Sequence, residues 1–275
     1  MPFINQLPTF EGQVAGGRAR VIVPKNKAYL HSVSIHVEAE NDAAAAIDGK
    51  TDVDWLDFLV DGVSKYYAEP TQEDFWQDLY QTAGDTDLDD NVTLQLANPM
   101  ALNSSPYGGL NVGKFELVVK IKDDATNLNF NSVAGSFEFE PVAEDMPLGR
   151  IQRQVAINEQ PTTTSGWNEI NNPPVGDFET LLALDLASSE ITDIEVYRGR
   201  ELVRELTRDD MKQMIVKDRA LRLPSTHANH FAVVFDVNGR PDKGLALTAP
   251  LRIRYKSSGT TAFTLWCRGI ENTGR

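Results

Sequence analysis

The sequence predicts an all-β chain of two tandem eight-stranded antiparallel jelly rolls, β-sandwiches that each carry one short helix. Three observations predict this. Apolar and polar residues alternate along many short segments, the mark of strands that bury one face. Glycine turns and polar stretches separate those segments at short intervals. The same succession of strands, glycine turn and helix start then recurs in the second half. The expected division is residues 1–143 for the first jelly roll and 144–275 for the second, with the join near residues 141–150.

In the first half, residues 19–24 alternate and stop at Pro24, which reads as a strand. Tyr29, Val33, Ile35 and Val37 alternate with polar neighbours and form a longer one. Residues 40–53 are small and acidic and read as a loop. Residues 55–60 and 63–69 flank Asp61-Gly62, a tight-turn dipeptide, and so form a hairpin. Thr71 with Asp74 three residues on reads as a capped helix start, followed by Phe75, Trp76, Leu79 and Tyr80 at helical spacing. Residues 92–96, the run from Phe115 to Ile121, and Phe137 with Phe139 alternate again. A long loop, 97–112, lies among them.

The second half repeats the series. Phe178, Leu182, Leu184 and Leu186 match the group beginning at Tyr29, an offset of 149. Gly199 matches Gly62, an offset of 137, with a strand over residues 194–197 before it. Thr207 with Asp210 matches Thr71 with Asp74. Phe231, Val233, Phe235 and Val237 echo the run from Phe115, and Phe263 with Leu265 echo Phe137 with Phe139. Residues 150–157 form the connector or the first strand of the second unit. Two copies that differ mainly in loop length are the expected residue of duplicating one β-rich unit. About eight short strands per half with unequal loops suit a jelly roll.

Bulk properties narrow the function. No run of about 18 apolar residues occurs, so no membrane-spanning helix is expected, and the start lacks the pattern of a secretory signal. Residues 1–140 hold 9 Lys/Arg against 22 Asp/Glu, a net −13 of the chain's −14. Such an acidic surface repels phosphate backbones, so no direct nucleic-acid contact is expected. The one cysteine, Cys267, sits in the apolar run of residues 263–267 and reads as a small buried residue.

The search for chemistry finds little. Phosphate-cradling glycine loops and the nucleophile elbow are absent. His227 and His230 have the spacing of helical metal ligands but fall before a strand, which favours loop polar residues. The odd spacing of His31 and His36 puts them on opposite faces of one strand, against a cupin-like cluster. Glu73, Asp74, Asp209 and Asp210 include paired carboxylates, but a helix-cap role accounts for Asp74 and Asp210. Asp85, Asp87 and Asp89 resemble the start of a calcium loop, without its glycine and distal glutamate. That missing pair favours an acidic surface loop, and a weak calcium site at these three candidate metal residues is the alternative, with calcium its only cofactor. Trp167, among Thr, Ser and Gly, is the best candidate for an exposed contact.

The stretch of residues 16–24, the hairpins at Gly62 and Gly199, the helix starts at Thr71 and Thr207 and the ending over residues 249–275 carry a resemblance. The chain resembles the double jelly-roll major capsid proteins of tailless icosahedral bacteriophages with an internal membrane, the corticovirus-like members above all. The resemblance implies a non-enzymatic structural subunit of a virion. Three chains would form a pseudo-hexagonal capsomer, with self, neighbouring capsomers, vertex or penton proteins, minor capsid proteins and the viral lipid membrane as partners. It also implies synthesis in the host cytoplasm, and loops 40–53 and 97–112 at capsomer contacts or the outer surface. Two other readings compete: a carbohydrate-binding β-sandwich such as a spike or adhesin, and a cupin-like metalloenzyme.

Overall fold

The computed structural model describes residues 3–25, 28–37, 52–80, 92–97, 107–125, 133–142, 147–160, 165–218, 221, 228–236 and 243–274. It divides into two compact units. The first comprises residues 1–77, 83–151 and 273–275, and the second residues 78–82 and 152–272.

Among the described residues eight strands build the first unit: β1 (Phe3–Gln6), β2 (Arg18–Val23), β3 (Ala28–Val37), β4 (Val53–Val60), β5 (Val63–Ala68), β6 (Val92–Gln95), β7 (Phe115–Ile121) and β8 (Val133–Pro141). One sheet runs β1-β8-β3-β6 and the facing strands run β5-β4-β7-β2. Alternation explains why they face one another. Ala19, Val21 and Val23 of β2, Leu56, Phe58 and Val60 of β4, and Phe115, Leu117, Val119 and Ile121 of β7 are all buried in one cluster with Val33, Ile35, Leu94 and Phe137. Each Val, Leu, Ile or Phe among them, withdrawn from water, contributes roughly 1.5–3 kcal/mol before chain entropy is set against it. Phe58 anchors the middle, with Tyr107 edge-on at 5.5 Å and Phe115 at 5.6 Å.

The second unit has β9 (Arg150–Gln160), β10 (Gly166–Asn171), β11 (Phe178–Leu186), β12 (Ile191–Arg198), β13 (Glu201–Thr207), β14 (Phe231–Val234), a two-residue β15 (Leu245–Ala246), β16 (Leu251–Ser257) and β17 (Phe263–Asn272). Its strands run β9-β17-β11-β14 and β10-β16-β12-β13, with β15 added to β11. Leaving β15 aside and counting within each unit, both follow 1-8-3-6 on one side and 2-7-4-5 on the other. The two jelly rolls thus share one strand order, and each carries a helix between its fifth and sixth strands: α1 (Pro70–Tyr80) and α2 (Arg208–Gln213).

Several local expectations change. The series does repeat, but β14 (Phe231–Val234) holds the sixth place and so corresponds to β6. The counterpart of β7 is β16, not the run from Phe231. Hydrophobic alternation alone cannot distinguish two strands that both bury one face. At α1 the threonine cap is displaced: the helix begins at Pro70, so Thr71 is already inside it. Proline's fixed φ suits the first helical position, and the carbonyl of Glu69 accepts from Gln72 and Glu73 instead. At α2 the expectation holds. Thr207 is the N-cap, and its side chain and Asp210 form a reciprocal capping box. The hairpin turns also differ by one place. Asp61 and Gly62 both have positive φ, 53° and 79°, whereas in the second unit the turn falls on Gly199 and Arg200 and only Gly199 is positive, at 61°.

Candidate functional site

The candidate metal residues Asp85, Asp87 and Asp89 lie outside the described residues, as does His227. Among the described residues no group of three or more His, Cys, Asp or Glu side chains is placed to hold a metal ion. Three other candidates, Cys267, Glu73 and Asp210, take structural roles. Cys267 on β17 is fully buried, and burial pushes its thiol far up, which keeps it a neutral, unreactive side chain. Glu73 is buried in α1 and accepts from the Tyr66 hydroxyl at 3.4 Å. Asp210 is held in the capping box, where hydrogen bonds from Thr207 draw its carboxyl below 3.8.

His230, just before β14, places Nδ1 2.6 Å from Asp185, which is fully buried on β11. Beside it Arg208 donates to four backbone carbonyls, those of Ser188, Ile191, Ala228 and His230, at 2.8–3.1 Å. Its guanidinium also lies 5.4 Å over the Phe231 ring. One side chain therefore ties α2 to the ends of β11, β12 and β14. The planar guanidinium can satisfy several carbonyls at once, which a lysine ammonium cannot do in that geometry. Sequence reading missed Arg208 because its partners are carbonyls far along the chain.

The chain also presents outward faces rich in aromatic and arginine side chains. On β10-β16-β12-β13, Arg254 lies 5.0 Å over Trp167 and Arg252 lies 4.2 Å over Tyr197. Arg254 donates to Glu195 at 2.6 Å, and Tyr197 donates to the same carboxylate at 2.7 Å. Trp167 is 44% exposed on the edge strand β10, as its polar surroundings predicted. The first unit carries a related cluster on β2 and β4, with Arg18 5.3 Å over Trp55 and Trp55 5.7 Å from Tyr67 of β5. Tyr, Trp and Arg are the side chains that dominate protein–protein contacts. A second exposed feature is β1, which pairs with β8 along one edge and leaves Phe3 55% and Ile4 71% exposed. Exposed apolar edge strands are templates for pairing with another chain.

A shallow depression of about 380 Å³ in the second unit is lined by Pro173, Val175, Phe178, Leu247 and Pro250, with Asn172 and Thr248 among its polar groups. Among the described residues no ionisable side chain lines it, so none there could serve as general acid or base. No described helix is long and apolar enough to cross a membrane.

No family model matches the sequence, and no curated protein matches it. Solved structures do. The major capsid protein P2 of bacteriophage PM2 superposes with a TM-score of 0.80 at 11% identity, covering 100% of this chain and 99% of that one. A chain of Sulfolobus Turreted Icosahedral Virus gives 0.66 at 11% identity over 97% and 89%. The PBCV-1 virus capsid gives 0.65 at 7% identity over 98% and 93%. At such identities the likeness is one of fold, and that fold is the double jelly roll.

Proposed function

We propose that the chain is a major capsid protein, a structural subunit that assembles with copies of itself into the shell of a virion and catalyses no reaction. The observation that carries this is the end-to-end match to the PM2 capsid protein, which covers 100% of this chain and 99% of that one. The character of the surface agrees with it. Aromatic–arginine faces and an open apolar edge suit association, while Cys267, Asp210 and Arg208 are taken up by packing, capping and backbone hydrogen bonds.

In the finer reading, drawn from the family resemblance, three chains form a pseudo-hexagonal capsomer: six similar lobes that tile an icosahedral shell around an internal membrane. Neighbouring capsomers, vertex or penton proteins, minor capsid proteins and the viral lipid are its partners, and it makes no direct contact with nucleic acid. Calcium at Asp85, Asp87 and Asp89 belongs to the same proposal; calorimetric titration of wild type against Asp87→Ala tests it, and silence from the wild type removes it. Negative-stain imaging of the purified protein tests the assembly, with triangular or hexagonal particles as the expected result.

The exposed Trp167, with Arg254 against its ring, favours one other reading, a carbohydrate-binding β-sandwich. Glycan-array binding lost in Trp167→Ala, together with only small single-lobed or two-lobed particles in the images, would select it.

A further inference from the structure

We propose that His31 is an acid-operated latch in the first unit: proton uptake by its imidazole loosens the ladder between β3 and β8 and so opens the sheet β1-β8-β3-β6. The inference stands apart from the shell reading, since it concerns only one unit's own sheet.

His31 is the extra residue of a bulge. Leu30 pairs with Phe139 and the next pair is Ser32 with Glu138, which leaves His31 without an opposite number. Its side chain has no exposed surface, and among the described residues neither ring nitrogen has a hydrogen-bond partner. Glu140 Oε2 of β8 lies 3.8 Å from Nε2, beyond hydrogen-bond reach. Glu138, the next carboxylate on β8, accepts from the Ser32 hydroxyl at 3.2 Å. The flanking strands β1 (FINQ) and β6 (VTLQ) carry no ionisable side chain. Among the described residues the charged groups acting on the ring are Glu138 and Glu140.

A charge on this ring is costly because it is dry and unpaired by any hydrogen bond. Burial holds the imidazole below its ordinary 6.5, and the two carboxylates offset that only in part. The sign follows. Above 6.5 the ring is neutral in folded and unfolded chains alike. As the pH falls below 6.5 the unfolded chain binds a proton that the folded chain resists, so stability falls until the folded ring also titrates. The site is well placed to transmit this. The His31 carbonyl accepts from Ala97 N at 2.8 Å, and Leu30 N donates to Tyr107 O at 3.1 Å. Within this sheet β1 is attached through β8 alone. A bulge that opens here frees strands on both sides.

Hydrogen exchange on the full chain, followed by mass spectrometry at pH 7.5 and 5.5 and corrected for intrinsic rates, tests it. The opening constant of amides in 28–37 and 133–141 should rise by up to about tenfold per pH unit below 6.5, with little change in β12 and β16. His31→Leu, which fills the site without an ionisable group, should abolish the response. An unchanged opening constant in β3 and β8, an equal loss throughout both units, or the same pH response in His31→Leu overturns the proposal. Should His31→Leu fail to fold, the wild-type profile decides alone.

Discussion

Thr207 shows how much one side chain fixes at the scale of a residue. Its hydroxyl accepts from the Asp210 backbone N–H at 3.2 Å and donates to the Asp210 carboxylate at 2.7 Å, while its own N–H donates to that carboxylate at 3.1 Å. Thr207→Ala should cost about 1 kcal/mol in denaturant unfolding. The same hydrogen bonds hold the Asp210 carboxyl below 3.8. A depressed carboxyl contributes stability that is present above its unfolded pKa and lost as the pH falls through its folded one. The difference between wild type and Thr207→Ala should therefore shrink as the pH drops below 3.8. An NMR titration should place Asp210 nearer 3.8 in the variant. A difference that stays constant down through that range contradicts the capping account. This cap was legible in the sequence because Thr-x-x-Asp encodes a local geometry. The parallel signal at Thr71 misled because Pro70, one residue earlier, takes the first helical position. His31 was legible as a strand residue, but its place at a bulge was not, since a bulge is defined by the strand opposite.

Elements carry a second kind of information, the space between ladders. Gly62, at φ 79°, closes the β4–β5 hairpin, and among the described residues nothing lies within 4 Å of where a Cβ would sit. Gly62→Ala should cost about 1 kcal/mol through backbone strain alone. Gly269 of β17 has ordinary backbone angles, yet a Cβ there would come within 2.2 Å of the Phe178 ring. Gly269→Ala should cost about 1–3 kcal/mol by overpacking, and Phe178→Leu beside it should recover part of that loss. Chemical denaturation of the three variants checks both, and a Gly269 penalty indifferent to Phe178 contradicts the packing argument. Most strands were legible because alternation records a half-buried face. β1 and β10 were not, because edge strands with exposed side chains lack that record. The Trp167 contact was half legible. Its polar setting pointed to exposure, but its pairing with Arg254 depends on the register of β10 against β16.

For the whole molecule, the duplication was the most legible feature and its detailed alignment the least. Two units with one strand order and a helix in the same interval are what a repeated sequence pattern encodes. The loops between strands set the offset between copies, so matching strand to strand by hydrophobicity slipped by one place at β14. The sequence offered a function only through its family resemblance, and the proposed function rests on the likeness of fold. The central claim is that this chain works by associating with copies of itself, and its mass in solution tests that most directly. Light scattering coupled to size exclusion should give three times the 30.5 kDa chain mass at micromolar concentration, independent of further dilution over a decade. A mass that stays at that of one chain at every concentration would contradict the account.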